Sequence, residues 1–186
     1  MVHMAEDPRV VFRLDNAVLA FRFTATVFDR AGAASERLTN PGRLGLWLQA
    51  NGLSFSGESL TEEELAAATE LREAIHRAGA QVAGGGRVAP AAARTLNAFS
   101  RNGKAYRLFE NGEAIWQGEC VADALSIIAA DAIETLGGPD RDRVKSCSDG
   151  QCHGLYVDTS RANNRRWCNM NTCGNRAKKA AMSRRG

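Results

Sequence analysis

The chain has 186 residues, 44% apolar and 24% charged, with a formal net charge of +3. That composition is ordinary for a soluble globular protein, and the length suits one domain with a small appendage. No stretch approaches the roughly 18 apolar residues of a membrane span, which excludes a transmembrane helix. The opening segment MVHMAEDPRVVF lacks the basic-then-apolar plan of a signal peptide, so a cytoplasmic location with reduced thiols is expected.

In chain order, residues 10–27 are ambiguous and read mostly as helix around NAVLAFRFTATVF. The tripeptide NPG predicts a helix start, with Asn40 as N-cap and Pro41 in the first turn, and Asn51-Gly52 predicts its end. Thr61 followed by Glu64 predicts a capping box. Leu65, Ala68, Leu71, Ile75 and Ala78 then give the next helix one buried stripe. AGGGR at 83–87 breaks it, and PAAARTLNAFSR at 90–101 predicts a shorter helix. Residues 105–118 read as a β-hairpin turning at Asn111-Gly112. An apolar helix is predicted from Cys120 to Leu136, with Cys120 read as a small core residue. LGGPD at 136–140 stops it, and Asp140-Arg141-Asp142-Arg143 reads as a solvated linker. The expected fold class is α+β: a mainly helical domain with one hairpin over 1–138, and a small separate module over 140–186.

Charge is distributed unevenly. Residues 159–186 carry eight cations and no anion, leaving 16 cations against 21 anions in residues 1–158. An acidic body with a basic end suggests a polyanionic partner; the alternative is a merely solvated basic tail.

Four of the five cysteines, Cys147, Cys152, Cys168 and Cys173, fall in the pattern C-x4-C-x15-C-x4-C. A module of about 45 residues cannot bury an adequate core and needs a staple. Two pairs of thiols from two tight turns suit a closed tetrahedral Zn2+ site, structural because no coordination position is left open. An alternative set has His153 replacing one cysteine, and disulfides are disfavoured in a reducing compartment. HGLYVDTSR predicts one arm of a hairpin, and GNRAKKAAMSRR predicts a helix opened by the last ligand, a treble-clef-like order. Arg165, Arg166, Arg176, Lys178 and Lys179 are the candidates for reaching phosphates. Trp167 either packs beneath the metal site or stacks on a base.

The string SRANNRRWCNMNTCGNRAKKAAM resembles the CGNR zinc finger, whose signature is here Cys173-Gly174-Asn175-Arg176. The resemblance implies that Cys147, Cys152, Cys168 and Cys173 are the zinc ligands and that the finger binds DNA. In that family the finger follows an ABATE domain, found in stress-induced transcription regulators. The resemblance extends to LAFRFTATVFD (19–29) and SERLTNPGRLGLWL (35–48). The first segment departs from the usual pattern at Arg22 and Ala25, where polar Asp or Asn is common. Gly174 is expected to allow a close approach, Asn175 to bridge a turn, and Arg176 to act either structurally or on phosphate.

The expected function is a DNA-binding transcriptional regulator, its N-terminal domain sensing a small-molecule ligand or forming a homodimer. The alternatives are an RNA-binding module and a protein-interaction zinc module. No Ser/His/Asp set, phosphate-cradling glycine motif or H-E-x-x-H occurs, so an enzyme is not expected. His76 is read as a helix-surface residue and His3 as part of a mobile end.

Overall fold

Local chemistry sets most of the helix boundaries. In the computed structural model, which describes residues 11–55, 57 and 59–183, helix α2 (Pro41–Ala50) starts where the Asn40 side chain accepts the Arg43 amide at 3.0 Å. It ends at Asn51, with Gly52 at φ +68°. Helix α3 (Glu62–Ala83) opens on the expected reciprocal box: Thr61 Oγ1 accepts the Glu64 amide and Glu64 accepts the Thr61 amide. Its stripe is buried from Ala68 through Leu71, Ile75 and Ala78 to Val82. Helix α4 (Pro90–Arg101) follows. Strands β3 (Tyr106–Glu110) and β4 (Glu113–Gln117) pair antiparallel around Asn111 and Gly112, both at positive φ. Helix α5 (Val121–Gly137) supplies the most apolar wall of the core, including Ala124, Leu125, Ile128, Ala129 and Ala132.

Three expectations for this body need correction. The N-terminal segment is helical only over α1 (Leu19–Thr24) and then becomes strand β1 (Val27–Phe28), paired with β2 (Ser35–Glu36). Thr24 and Thr26 turn their hydroxyls onto the carbonyls of Phe21 and Phe23, at 3.0 and 2.7 Å, a local competition that favours helix termination. Cys120 is exposed rather than buried, because it stands at the N-cap of α5 where the chain enters from the surface. Its amide and those of Lys104 and Glu119 donate to Asp123, whose carboxyl these bonds hold below the usual range. The stretch after α5 is a fixed joint rather than a solvated linker. Arg141 donates to the carbonyls of Leu136 and Gly86, and Arg143 to those of Asp158 and Ser160. His3 and the basic residues Arg184 and Arg185 lie outside the described residues.

The C-terminal segment continues from that joint as β5 (Val144–Ser146) and β6 (Leu155–Val157), an antiparallel pair with Val144 opposite Val157. A single π turn (Met170–Gly174) leads into α6 (Asn175–Ser183). This segment does not stand apart. Val144, Leu155 and Val157 belong to the main hydrophobic core. Leu155 seats on α3 at Gly79, where an added Cβ would come within 2.4 Å of Leu155 Cδ1. Burying each Val or Leu side chain contributes about 1.5–3 kcal/mol, so three of them fasten the hairpin to the body. The β1–β2 hairpin is in turn tied to α3 by the ion pairs Glu36–Arg72 and Arg30–Glu73.

Candidate metal centre and nucleic-acid interface

Cys147 and Cys152 sit at the tip of the β5–β6 hairpin, Cys168 precedes the π turn and Cys173 lies within it. Their four sulfurs all lie within 4.8 Å of one another. Cys152 and Cys168 are 3.5 Å apart, and Cys168 and Cys173 are 3.7 Å apart. A tetrahedron with Zn–S bonds of about 2.3 Å has edges of about 3.8 Å, so the donor set fits a zinc ion held by thiolates. His153 is exposed and is not needed as a ligand; its carbonyl is 3.1 Å from His76 Nε2. His76 is accordingly half-buried at the body–finger contact, not on a free helix surface, and burial lowers its pKa. Sulfurs this close cannot all ionise without a cation. Hydrogen bonds to neighbouring sulfurs, then burial, push the thiols of Cys152 and Cys173 well above their ordinary range.

Donors surround the sulfurs. The amides of Gly154 and Cys168 point at Cys152 Sγ and Cys147 Sγ, both at 3.4 Å. Gly154 leaves room for this, because a Cβ there would sit 3.2 Å from Cys152 Sγ. Two guanidiniums add positive charge: Arg13 reaches Cys168 Sγ at 3.7 Å and Arg176 reaches Cys173 Sγ at 4.0 Å. Tyr156 packs into this small core with its hydroxyl donating to the Arg165 carbonyl at 2.6 Å. Burial, then repulsion from Cys147, raises its pKa to about 12. Trp167 packs against the cysteine cluster, in keeping with the first of its two expected readings.

Buried Asp158 organises the loop between β6 and Cys168, accepting from Lys145 Nζ and from the amides of Ser160 and Arg165. Burial opposes its ionisation, but those donors prevail and hold its pKa far below the usual carboxylate range.

The candidate cations divide into two groups. Arg165 is turned onto its own loop: Nε donates to the Trp167 carbonyl, NH2 to the Cys168 carbonyl, and the guanidinium covers the Tyr156 ring. Arg176 is turned toward Asp29 and Asp149. Neither guanidinium projects freely, because carbonyls and carboxylates within the chain already take up its donors. Arg166, Lys178 and Lys179 are exposed, and their side chains form no hydrogen bond or ion pair among the described residues; Arg166 lies over the Trp167 ring. Asn175 bridges the turn by donating to the Asn171 carbonyl at 3.0 Å. At Gly174 the close neighbour is the Met170 side chain, 2.4 Å from a hypothetical Cβ, rather than the metal site or a strand.

Sequence reasoning missed Arg13, Asp29 and Asp149 as surroundings of the metal centre. Asp149 lies between Cys147 and Cys152, where an Asp reads simply as a turn residue. Asp29 and Arg13 lie more than a hundred residues away along the chain and carry no spacing signal.

The family model described as "Putative stress-induced transcription regulator" (ABATE) matches residues 17–139, and the CGNR zinc finger model matches residues 143–186. No curated protein matches the sequence.

Proposed function

Since the chain belongs to the ABATE family and carries a CGNR zinc finger at its C-terminal end, we propose that it is a DNA-binding regulator whose finger is shaped by one structural Zn2+. Cys147, Cys152, Cys168 and Cys173 hold the ion, and its chemistry is to gather four thiolates into a closed site with no open coordination position. The ion supplies to this short segment the fixed shape that its few apolar side chains cannot.

One observation carries the nucleic-acid reading. Arg166, Lys178 and Lys179 are exposed and without an ionic partner among the described residues, in a stretch holding no acidic residue from 159 to 186. Such cations neutralise phosphates and release counterions, a term that acts on any nucleic-acid sequence. The finger therefore binds the phosphate backbone first, and the helical body, locked to it through α3, carries the regulatory input.

Titration of labelled duplex DNA and structured RNA across a salt series tests this. The wild-type protein should bind the duplex with a steep salt dependence. The triple variant R166A/K178A/K179A should lower the slope of log K against log salt by about 0.9 for each phosphate no longer neutralised, with zinc content unchanged. Tighter binding to RNA at matched salt would reassign the polymer. No salt-dependent affinity for either polymer would sink the reading and leave a protein-interaction module.

A further inference from the structure

Arg176 closes the signature tetrapeptide and occupies the second position of α6. A guanidinium has five N–H donors; here both terminal nitrogens are hydrogen-bonded within the chain and Nε is ion-paired. NH1 and NH2 engage Asp29 Oδ2 and Oδ1 at 2.8 and 2.9 Å, a fork-to-fork pair. NH1 also reaches Gln151 Oε1 at 3.2 Å, and NH2 reaches Cys173 Sγ at 4.0 Å. Nε lies 2.9 Å from Asp149 Oδ2. The group also lies over the Phe28 ring, 5.7 Å from its centroid. One side chain thus joins the first cysteine turn (Asp149, Gln151), the last ligand (Cys173) and the β1–β2 turn of the body (Asp29).

The rest of that junction is built to receive it. Asp29 sits at φ +49°, a left-handed conformation that Asp tolerates better than most residues. The Ala31 amide donates to the Gln151 carbonyl at 3.0 Å, so the β1–β2 turn and the cysteine turn already touch along the backbone. The same hairpin is held to α3 through the Glu36–Arg72 pair at 2.7 Å. The hairpin that carries Asp29 is therefore fixed to α3 on one side and to the start of α6 on the other.

We infer that Arg176 is a positioning residue rather than a phosphate contact: it latches α6 and the metal centre to the β1–β2 turn of the body. Releasing it to bind a phosphate would leave the Asp29 carboxylate without its partner and nine-tenths buried Asp149 with only the Gln151 amide. The phosphate-facing surface of α6 is then the open groove of about 620 Å³ that the latch pair Asp29 and Arg176 itself borders, together with Asn171, Asn175, Lys178 and Lys179. Its two lysines are cations without ionic partners among the described residues, and its asparagines are neutral donors suited to phosphate oxygens. The latch aims that groove. A change in the body that moves the β1–β2 turn would re-aim it.

The placement of the groove rests on the nucleic-acid reading above; the latch does not. Two measurements on the full zinc-loaded chain keep them apart. The first needs no nucleic acid: the rate of zinc transfer to a colorimetric chelator, with thermal unfolding, for R176A, D29N, R176K and R176A/D29N. R176A and D29N should each speed zinc loss about tenfold or more, the double variant should be no faster than R176A alone, and R176K should recover only part, since one ammonium cannot bridge two carboxylates. Independent, additive effects of the two single changes, or no effect, would overturn the latch. The second is the salt slope of duplex DNA binding. R176A should weaken affinity with the slope unchanged, while K178A/K179A should lower it by about 1.8. A slope lowered by about 0.9 in R176A with unchanged zinc loss would make Arg176 a phosphate contact after all. Absence of DNA affinity in the wild type would remove the groove reading and leave the latch to the chelator result.

Discussion

In residues 19–137 the interior is apolar area: Phe21, Leu44, Trp47, Leu71, Ile75 and Ile128 are wholly buried and contiguous. In residues 147–173 the interior is four cysteines and Tyr156, with Trp167 leaning against them. The first core is stable because many side chains leave water together. The second holds too little area for that, and its donors are arranged for an ion. The two are nevertheless not independent, since β5 and β6 place Val144, Leu155 and Val157 in the larger core and the cysteines at its edge. The finger is thus half metal-made and half docked, and each dependence can be broken separately.

The largest effect should come from the metal. Changing Cys168 to Ser removes one thiolate from a site whose binding free energy is also folding free energy. Zinc should be lost on purification, and residues 147–174 should lose their fixed shape while α1–α5 keep their helical signal. Elemental analysis with far-ultraviolet circular dichroism reads both; stoichiometric zinc in the variant would rule out this ligand set.

Next in size is the docking contact. Gly79→Ala places a methyl 2.4 Å from Leu155 Cδ1 and 3.5 Å from Phe21 Cε1, in a site where Leu155 is 2% exposed and cannot swing into solvent. Overpacking of this kind costs about 1–3 kcal/mol. The melting temperature should fall with zinc still bound, and an unchanged melting curve would mean that β6 rests loosely on α3.

The smallest effect is electrostatic. Partial burial pushes the Glu73 carboxyl up, but hydrogen bonds and ion pairs from Arg30 and Arg72 outweigh it and bring its pKa down to about 2. A carboxylate with a depressed folded-state pKa adds stability above its unfolded value of 4.5, and loses it as pH falls toward 2. Denaturant melts of wild type and E73Q should therefore differ at neutral pH and converge across that acid window. The comparison isolates this group from thiolate protonation, which both proteins share; equal acid slopes would show that the Arg30–Glu73–Arg72 cluster contributes nothing net.

What could be read from the sequence is short-range. Asn40 with Pro41, Thr61 with Glu64, and Asn111 with Gly112 act within four residues, through hydrogen bonds and backbone conformations that their own side chains dictate. The cysteine spacing belongs to the same class, because each pair is closed by one turn. Where side-chain hydroxyls competed locally, as at Thr24 and Thr26, the reading of a long first helix failed for the same short-range reason. The sequence by itself therefore determined the helices from α2 onward, the hairpin at Asn111-Gly112, the four ligand candidates and the excess of positive charge beyond residue 158. Only the tertiary structure decided which cations face outward and that the finger leans on the body. Asp29 and Arg176 are 147 positions apart, and Gly79 and Leu155 meet across different elements. No periodicity encodes such pairs, because they arise only when folding fixes the distance between surfaces that the chain leaves far apart.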